Sequence, residues 1–222
     1  MKKVLVLGSG REYKSSTLET GFINLESNPE LKADLYFDLE DCKQKQIPLP
    51  ENSLDEIHAS HILEHIVNLA PLMEECYRLL KPGGLLAIVC QYYTHEWAWG
   101  DPTHVRGINE HTFNFFSQEY LKNSKSPTSR LNVKCNFEVK RVEFIVAEEW
   151  KHANASELEF AKRRYNNVIT NIYFELVAIK TKLEETEVRL VNNGIELEMQ
   201  EIKEGKIKTH SLDKIKQNIN RN

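Results

Sequence analysis

The sequence has no CxxC pair; its four cysteines, Cys42, Cys76, Cys90 and Cys135, stand far apart. Neither a disulfide framework nor a zinc knuckle is indicated. Long apolar runs are missing as well, and nothing approaches the roughly 18–20 residues that a membrane-spanning helix needs. The opening MKKVLVLGSG imitates a secretory start. Its apolar stretch is only Val4 to Leu7, however, and Arg11, Glu12 and Lys14 follow at once. A buried first strand is the expectation there. An excess of basic residues is also lacking: the net charge is −4 and the pI near 6.1. That argues against a general DNA-coating protein or a polybasic membrane binder. There is no internal repeat and no low-complexity tract. These absences point to a soluble, cytoplasmic protein kept reduced.

What is present suits one α/β domain. The chain has 222 residues, of which 41% are hydrophobic and 28% charged, enough to bury a core. KKVLVLG, GFINLE, ADLYFDL and LDEIHAS read as four strands, and LLAIVCQ as a fifth that is apolar almost throughout, as in a parallel sheet. The stretch from Ser60 to Leu80 reads as a helix, with Leu72, Met73, Cys76, Leu79 and Leu80 at helical spacing. Lys81-Pro82-Gly83-Gly84 stops it. This β-α-β rhythm selects a doubly wound fold. NEHTFNFFSQEYLKN reads as a helix, VKCNFEVKRVEFIVA and NVITNIYFELVAIKT as two long strands, and the segment between these as a loop plus helix. Residues 1–181 form the expected domain. From residue 182 the composition shifts, and 181–222 contains no aromatic residue. Asn193-Gly194 signals a hairpin turn and Ser211 a helix cap, so residues 182–222 read as an accessory hairpin and helix or a partly disordered extension.

Gly8-Ser9-Gly10 follows the first strand directly. Glycines there let backbone N–H groups approach a ligand, although such a turn is also common without one. Glu26 ends the second strand, where a carboxylate can accept from a ribose diol; a solvated strand-end acid is the plainer alternative. Asp38 ends the third strand, and together with the N–H of Leu39 it has the donors and acceptors to read adenine; its plainer alternative is to start a turn.

The order of these features meets a family. LPENSLDEIHASHILEHI followed by LMEECYRLLKPGGLLAIVC closely resembles the region around the fourth strand of class I S-adenosylmethionine-dependent methyltransferases, in the small-molecule, type-11-like branch. LGSGREY, GFINLESNPELKADLYFDLED and DPTHVRGINEHTFNFFS resemble a subgroup with a compact cofactor half. The resemblance covers residues 3–120 well, 133–180 loosely and the tail not at all. It implies a Rossmann-like, doubly wound, mostly parallel seven-stranded sheet ending in an antiparallel hairpin. It implies S-adenosyl-L-methionine as cofactor, with Gly8, Ser9 and Gly10 at its methionine part, Glu26 on the ribose, Asp38 and Leu39 at adenine, and Ser60 and His61 facing the methyl. The chain departs from the family in having Arg11 and Glu12 where a longer glycine-rich turn is usual, and in the few residues between the second and third strands. Either the connecting helix there is reduced to a turn or one strand is misplaced.

Methyl transfer from a sulfonium is an in-line displacement that needs no metal, and mainly needs placement of the nucleophile. A hydroxyl acceptor also needs a base. His61, His95, His104 and His111 are the candidates, with Asp101 as base or orienter. His104 is favoured, in the proline-stiffened Asp101-Pro102-Thr103-His104-Val105-Arg106, where Arg106 is placed to grip an anionic group. Trp97, Trp99, Tyr92 and Tyr93 are candidate pocket walls or loop anchors. The expectation is O-methylation of a small-molecule or glycan acceptor. Three rivals stand beside it. His61-Ile62-Leu63-Glu64-His65 matches the H-x-x-E-H zinc-protease pattern, with no further ligand announced downstream. A non-catalytic scaffold of the same fold would explain the imperfect glycine turn and the tail. A nucleic-acid base methyltransferase would carry an acidic/Asn-Pro-Pro-aromatic motif where Ser60-His61-Ile62-Leu63 stands.

Overall fold

The computed structural model describes residues 1–124 and 132–180. The expected accessory elements of 182–222, with Asn193-Gly194 and Ser211, lie outside the described residues. Seven strands form one sheet: β1 (Lys2–Leu7), β2 (Thr20–Glu26), β3 (Leu35–Tyr36), β4 (Leu54–Ser60), β5 (Leu80–Gln91), β6 (Phe137–Val146) and β7 (Ile169–Ala178). Their order is β3-β2-β1-β4-β5-β7-β6. Strands β1 to β5 pair in parallel, while β7 pairs antiparallel with both β5 and β6. This is the expected Rossmann-like sheet with its antiparallel end, and the connections reverse direction between β1 and β4.

Strand β1 sits in the middle, and Val4, Leu5, Val6 and Leu7 are all buried. That explains the unbroken apolar run: a parallel strand with neighbours on both sides has no wet face to alternate with. Helix α1 (Leu69–Leu79) buries Leu69, Leu72, Met73, Cys76 and Leu79 in the same core as Leu86, Ile88 and Cys90 of β5. It ends just before Lys81-Pro82-Gly83-Gly84, which opens β5 instead of forming a separate turn, with Gly83 at φ +76. The helix does not begin at Ser60 as the sequence pattern suggested. His61 sits in the left-handed region at φ 51, which a helix cannot contain, and residues 61–68 form a loop. The Glu40 carboxylate holds the end of that loop, accepting from Asn68 N at 3.1 Å and from Asn68 Nδ2 at 2.8 Å.

The connections after β1 and β2 are loops, so the reduced-turn alternative is the one realised, and β3 shrinks to two residues. A fully buried asparagine takes over the job of holding them. Asn24 on β2 donates from Nδ2 to Lys14 O at 2.9 Å and to Asp34 Oδ2 at 2.8 Å, and its Oδ1 accepts from Lys14 N at 2.8 Å. One side chain thus anchors the loop before β2 and the loop after it.

Beyond β5 come three short helices: α2 (Trp97–Gly100), α3 (Gln118–Asn123) and α4 (Ala155–Lys162). The expected helix over NEHTFNFFSQEYLKN is instead a 3-10 turn, Thr112–Phe116, followed by α3, because Ser117 is extended (φ −103, ψ 121) and caps Tyr120 N. Helix α4 opens on a reciprocal capping box between Asn154 and Glu157. No helix among the described residues is long and apolar enough to cross a membrane.

Candidate active site

The carboxyl ends of β1, β2, β3, β4 and β5 lie along one edge of the sheet, and the sequence-predicted residues gather there. Gly8 and Gly10 both have positive φ, +58 and +56. Their surroundings differ. A Cβ on Gly8 would stand 2.8 Å from Ile62 Cδ1, so the missing side chain admits the loop after β4. A Cβ on Gly10 would meet nothing within 4 Å. Between them the Ser9 hydroxyl is buried and has no hydrogen-bond partner, a group that a polar ligand would satisfy. This orphaned hydroxyl beside open space fits the expected cofactor.

Glu26 closes the turn from the side. Its Oε2 accepts Gly10 N at 2.9 Å, and Oε1 accepts Ser27 N at 2.8 Å and Asn28 N at 3.2 Å. Burial by itself would raise its pKa. The N–H donors of Gly10, Asn28 and Ser27 outweigh burial and hold the carboxyl below its ordinary value. Oε1 also accepts from Ser27 Oγ at 3.4 Å, whereas Oε2 takes Gly10 N alone and keeps an acceptor position open. Asp38 follows one residue after Phe37, whose N–H bonds Glu26 O at 3.0 Å. Its Oδ1 caps the 3-10 turn Leu39–Lys43 by accepting Glu40 N at 3.0 Å, and Leu39 is buried. The turn-starting role of Asp38 is therefore real, and it employs one of the two carboxylate oxygens.

Ser60 is exposed at the end of β4. His61 N bonds Val89 O at 2.8 Å, and His61 Nδ1 stands 3.3 Å from the buried Glu64 carboxylate. His61 and His65 do not share a helix face, so the H-x-x-E-H pattern has no zinc-protease geometry here. Glu64 turns inward to His61 and to Gln91 N. Burial pushes the Cys42 and Cys135 thiols up to about 12 and those of Cys76 and Cys90 well up, which disfavours the thiolate at all four.

The loop after β5 lies against the loop after β4. His104 Nδ1 is 3.1 Å from Ala98 O. A carbonyl only accepts, so Nδ1 carries the proton and Nε2 presents a lone pair. The sequence gives Asp101 as a base or orienter. Its Oδ1 accepts the Thr103 hydroxyl at 2.6 Å, and that hydroxyl oxygen lies 2.8 Å from His65 Nδ1. The His65 and His104 rings meet edge to face, with centroids 4.5 Å apart. His65 entered the sequence reading only through the H-x-x-E-H pattern, and Thr103 was not singled out at all. Arg106 is committed to the loop: its Nη2 donates to Ile66 O and to Val67 O. Those bonds pin the loop after β4, while Arg106 Nε has no hydrogen-bond partner. His95 Nδ1 accepts Trp97 N at 3.4 Å, and His111 precedes the Thr112–Phe116 turn. Tyr93, Trp97 and Trp99 are exposed, 40%, 57% and 62%, so they form a surface and not a closed wall. Trp99 Nε1 is anchored on Tyr93 O at 2.9 Å.

Residues 12–88 match the family described as "Methyltransferase domain". Among curated relatives, the sterol 24-C-methyltransferase of Pneumocystis carinii is 39% identical over 59 residues, 27% of this chain and 16% of its own length. A Mycolicibacterium smegmatis protein named "Probable S-adenosylmethionine-dependent methyltransferase" is 35% identical over 43 residues, 19% of this chain and 17% of its own. The matched segments thus span about a sixth of those relatives. Among solved structures, a methyltransferase dependent on the same cofactor from Archaeoglobus fulgidus superposes with a TM-score of 0.54 at 20% identity, covering 79% of this chain and 86% of its own. That likeness shows the fold. Sequence and fold together support a class I S-adenosylmethionine-dependent methyltransferase of the type-11 branch.

Proposed function

We propose that the chain transfers a methyl group from S-adenosyl-L-methionine to an oxygen of a small-molecule or glycan acceptor. The observation that carries the reading is the shared edge: the orphaned Ser9 hydroxyl, the open space over Gly10 and the Glu26 carboxylate stand together at the tips of β1 and β2. When bound, the cofactor supplies a methyl group on a positively charged sulfur.

The chain's own residues do the rest. Ser9 Oγ and the Gly10 turn receive the polar methionine end. Glu26, held ionised, has acceptor capacity left for the ribose hydroxyls. The second oxygen of Asp38 and the backbone of Leu39 face the adenine. Ser60 and His61, where β4 ends, border the methyl. The two loops beyond β4 and β5 supply the acceptor side. His104 Nε2 takes the acceptor's proton, a step for which its lone pair is pre-set by the Ala98 carbonyl. Asp101 acts at one remove, through Thr103, on the orientation of His65. The exposed faces of Tyr93, Trp97 and Trp99 suit the apolar face of a sugar or an aromatic ring, which supports the glycan or small-molecule class. A net charge of −4 disfavours a nucleic-acid acceptor. Four free cysteines, three of them buried, support a cytoplasmic location.

Transfer of labelled methyl from the cofactor to a panel of sugar and phenolic hydroxyl acceptors tests this reading. Label on oxygen is the expected result. Failure to bind the cofactor or its demethylated product in calorimetry would favour a non-catalytic scaffold.

A further inference from the structure

We infer that His65, Asp101 and His104 form a binding site for one divalent transition-metal ion of the zinc class. Their ligand atoms all lie within 4.8 Å of one another. The three side chains come from two loops: His65 from the loop after β4, Asp101 and His104 from the loop after β5.

The surrounding bonds set each group as a ligand needs to be set. The Ala98 carbonyl fixes the proton of His104 on Nδ1 and leaves Nε2 free to donate its electron pair. The Thr103 hydroxyl gives its proton to Asp101 Oδ1 at 2.6 Å, and Thr103 N donates to the same oxygen at 2.8 Å. With its proton spent, the Thr103 oxygen accepts from His65 Nδ1 at 2.8 Å, so His65 also presents a bare Nε2. An imidazole whose far nitrogen donates to a carbonyl or a carboxylate-linked oxygen is the arrangement that orients metal-bound histidine and raises its basicity. Both histidines have it here, and the third ligand is the very carboxylate that anchors one of them.

Two nitrogens and one oxygen suit an ion of borderline softness such as Zn²⁺ or Co²⁺ over Mg²⁺ or Ca²⁺. Tetrahedral zinc with bonds of about 2.0 Å needs donor atoms about 3.3 Å apart. Side-chain rotation on the rim of the molecule closes the present spacing, since all three residues are only part-buried. Three protein ligands leave a fourth position open, and an acceptor oxygen is the group placed to take it. In this respect the inference deepens the reading of the cluster as the acceptor side and rests on that reading; ion binding itself does not. With the ion bound, His104 Nε2 is a ligand and no longer takes the acceptor's proton; the ion-bound acceptor oxygen gives that proton up to solvent, and no oxidant or reductant is needed.

The test is titration of the full chain, stripped with chelator, with Co²⁺, followed by visible absorption and by metal analysis. One ion per chain with visible bands of a histidine-ligated site is expected. His104→Ala and His65→Ala abolish the bands, and Thr103→Val, which removes only the orienting hydroxyl, weakens binding about 10–100-fold. Absorption and affinity that are the same in wild type and His104→Ala, or no binding by either, would overturn the inference. Calorimetry with the demethylated cofactor on the same samples keeps the two readings apart. Cofactor binding without ion binding sinks the ion site alone, and ion binding without cofactor binding sinks the methyltransferase reading and leaves the ion site standing.

Discussion

Glu26 at the tip of β2 and Gly10 beyond the tip of β1 are joined by a hydrogen bond of 2.9 Å from the glycine N–H to the carboxylate. One side chain thereby shapes the turn that would hold the cofactor while keeping lone pairs for it. Glu26→Gln replaces one acceptor oxygen by a donor. We expect a loss of about 1–3 kcal/mol in urea denaturation and a fall of about tenfold in affinity for the demethylated cofactor, the worth of about 1.4 kcal/mol. The pH dependence has a definite sign. The folded pKa lies below the ordinary 4.5, so the stabilisation is complete above that value and is lost as pH falls through the lowered one. Glu26→Gln should therefore flatten the acid limb of a stability profile.

Gly8 and Gly10 share a left-handed backbone and differ in what lies above them. Alanine at either site incurs the strain of positive φ, about 1–2 kcal/mol. Gly8→Ala also presses on Ile62, so Ile62→Ala should recover part of the loss there and nothing in Gly10→Ala. Gly10→Ala instead projects a methyl into the open space and should lower cofactor affinity. Denaturation and calorimetry on the three single and two double variants check both halves.

Asn24 ties down the loops on both sides of β2. Asn24→Ala strands Lys14 N, Lys14 O and part of the Asp34 carboxylate. A loss of about 2–3 kcal/mol is expected, with faster amide exchange in residues 11–19 and 27–34. Unchanged stability would show that the loops hold themselves.

Much of this fold was legible in the sequence because parallel strands bury both faces. Val4–Leu7 and LLAIVCQ announce themselves by composition, and the Pro-Gly-Gly after Leu80 fixes the end of α1. What misled was the stretch from Ser60 to Asn68. It has helical spacing, yet the left-handed His61 and the Glu40 carboxylate make it a loop. Neither is visible locally, since Glu40 acts across 28 residues of sequence. The site divides in the same way. Glu26 and the glycine turn follow from strand-end position, but the engagement of Arg106 by Ile66 and Val67 and the Asp101–Thr103–His65 chain depend on two loops meeting. Asn24 gave no signal at all: an asparagine inside a strand pattern reads as a blemish until its partners are seen.

His104 presents the lone pair that the proposed chemistry uses. His104→Ala should cut turnover about 10²–10⁴-fold and leave affinity for the demethylated cofactor unchanged. Steady-state kinetics beside calorimetry separate the two effects. Normal turnover would remove His104 from the reaction.

The central claim is that the tips of β1, β2 and β3 together hold the nucleoside, with its sulfur directed to the loops after β4 and β5. A crystal structure with the demethylated cofactor bound tests it most directly. The expected complex has the ribose hydroxyls on Glu26, the methionine end at Ser9 and Gly10, and the sulfur facing the side of His104. A nucleoside bound on another edge of the sheet, or with its ribose turned away from Glu26, would contradict it.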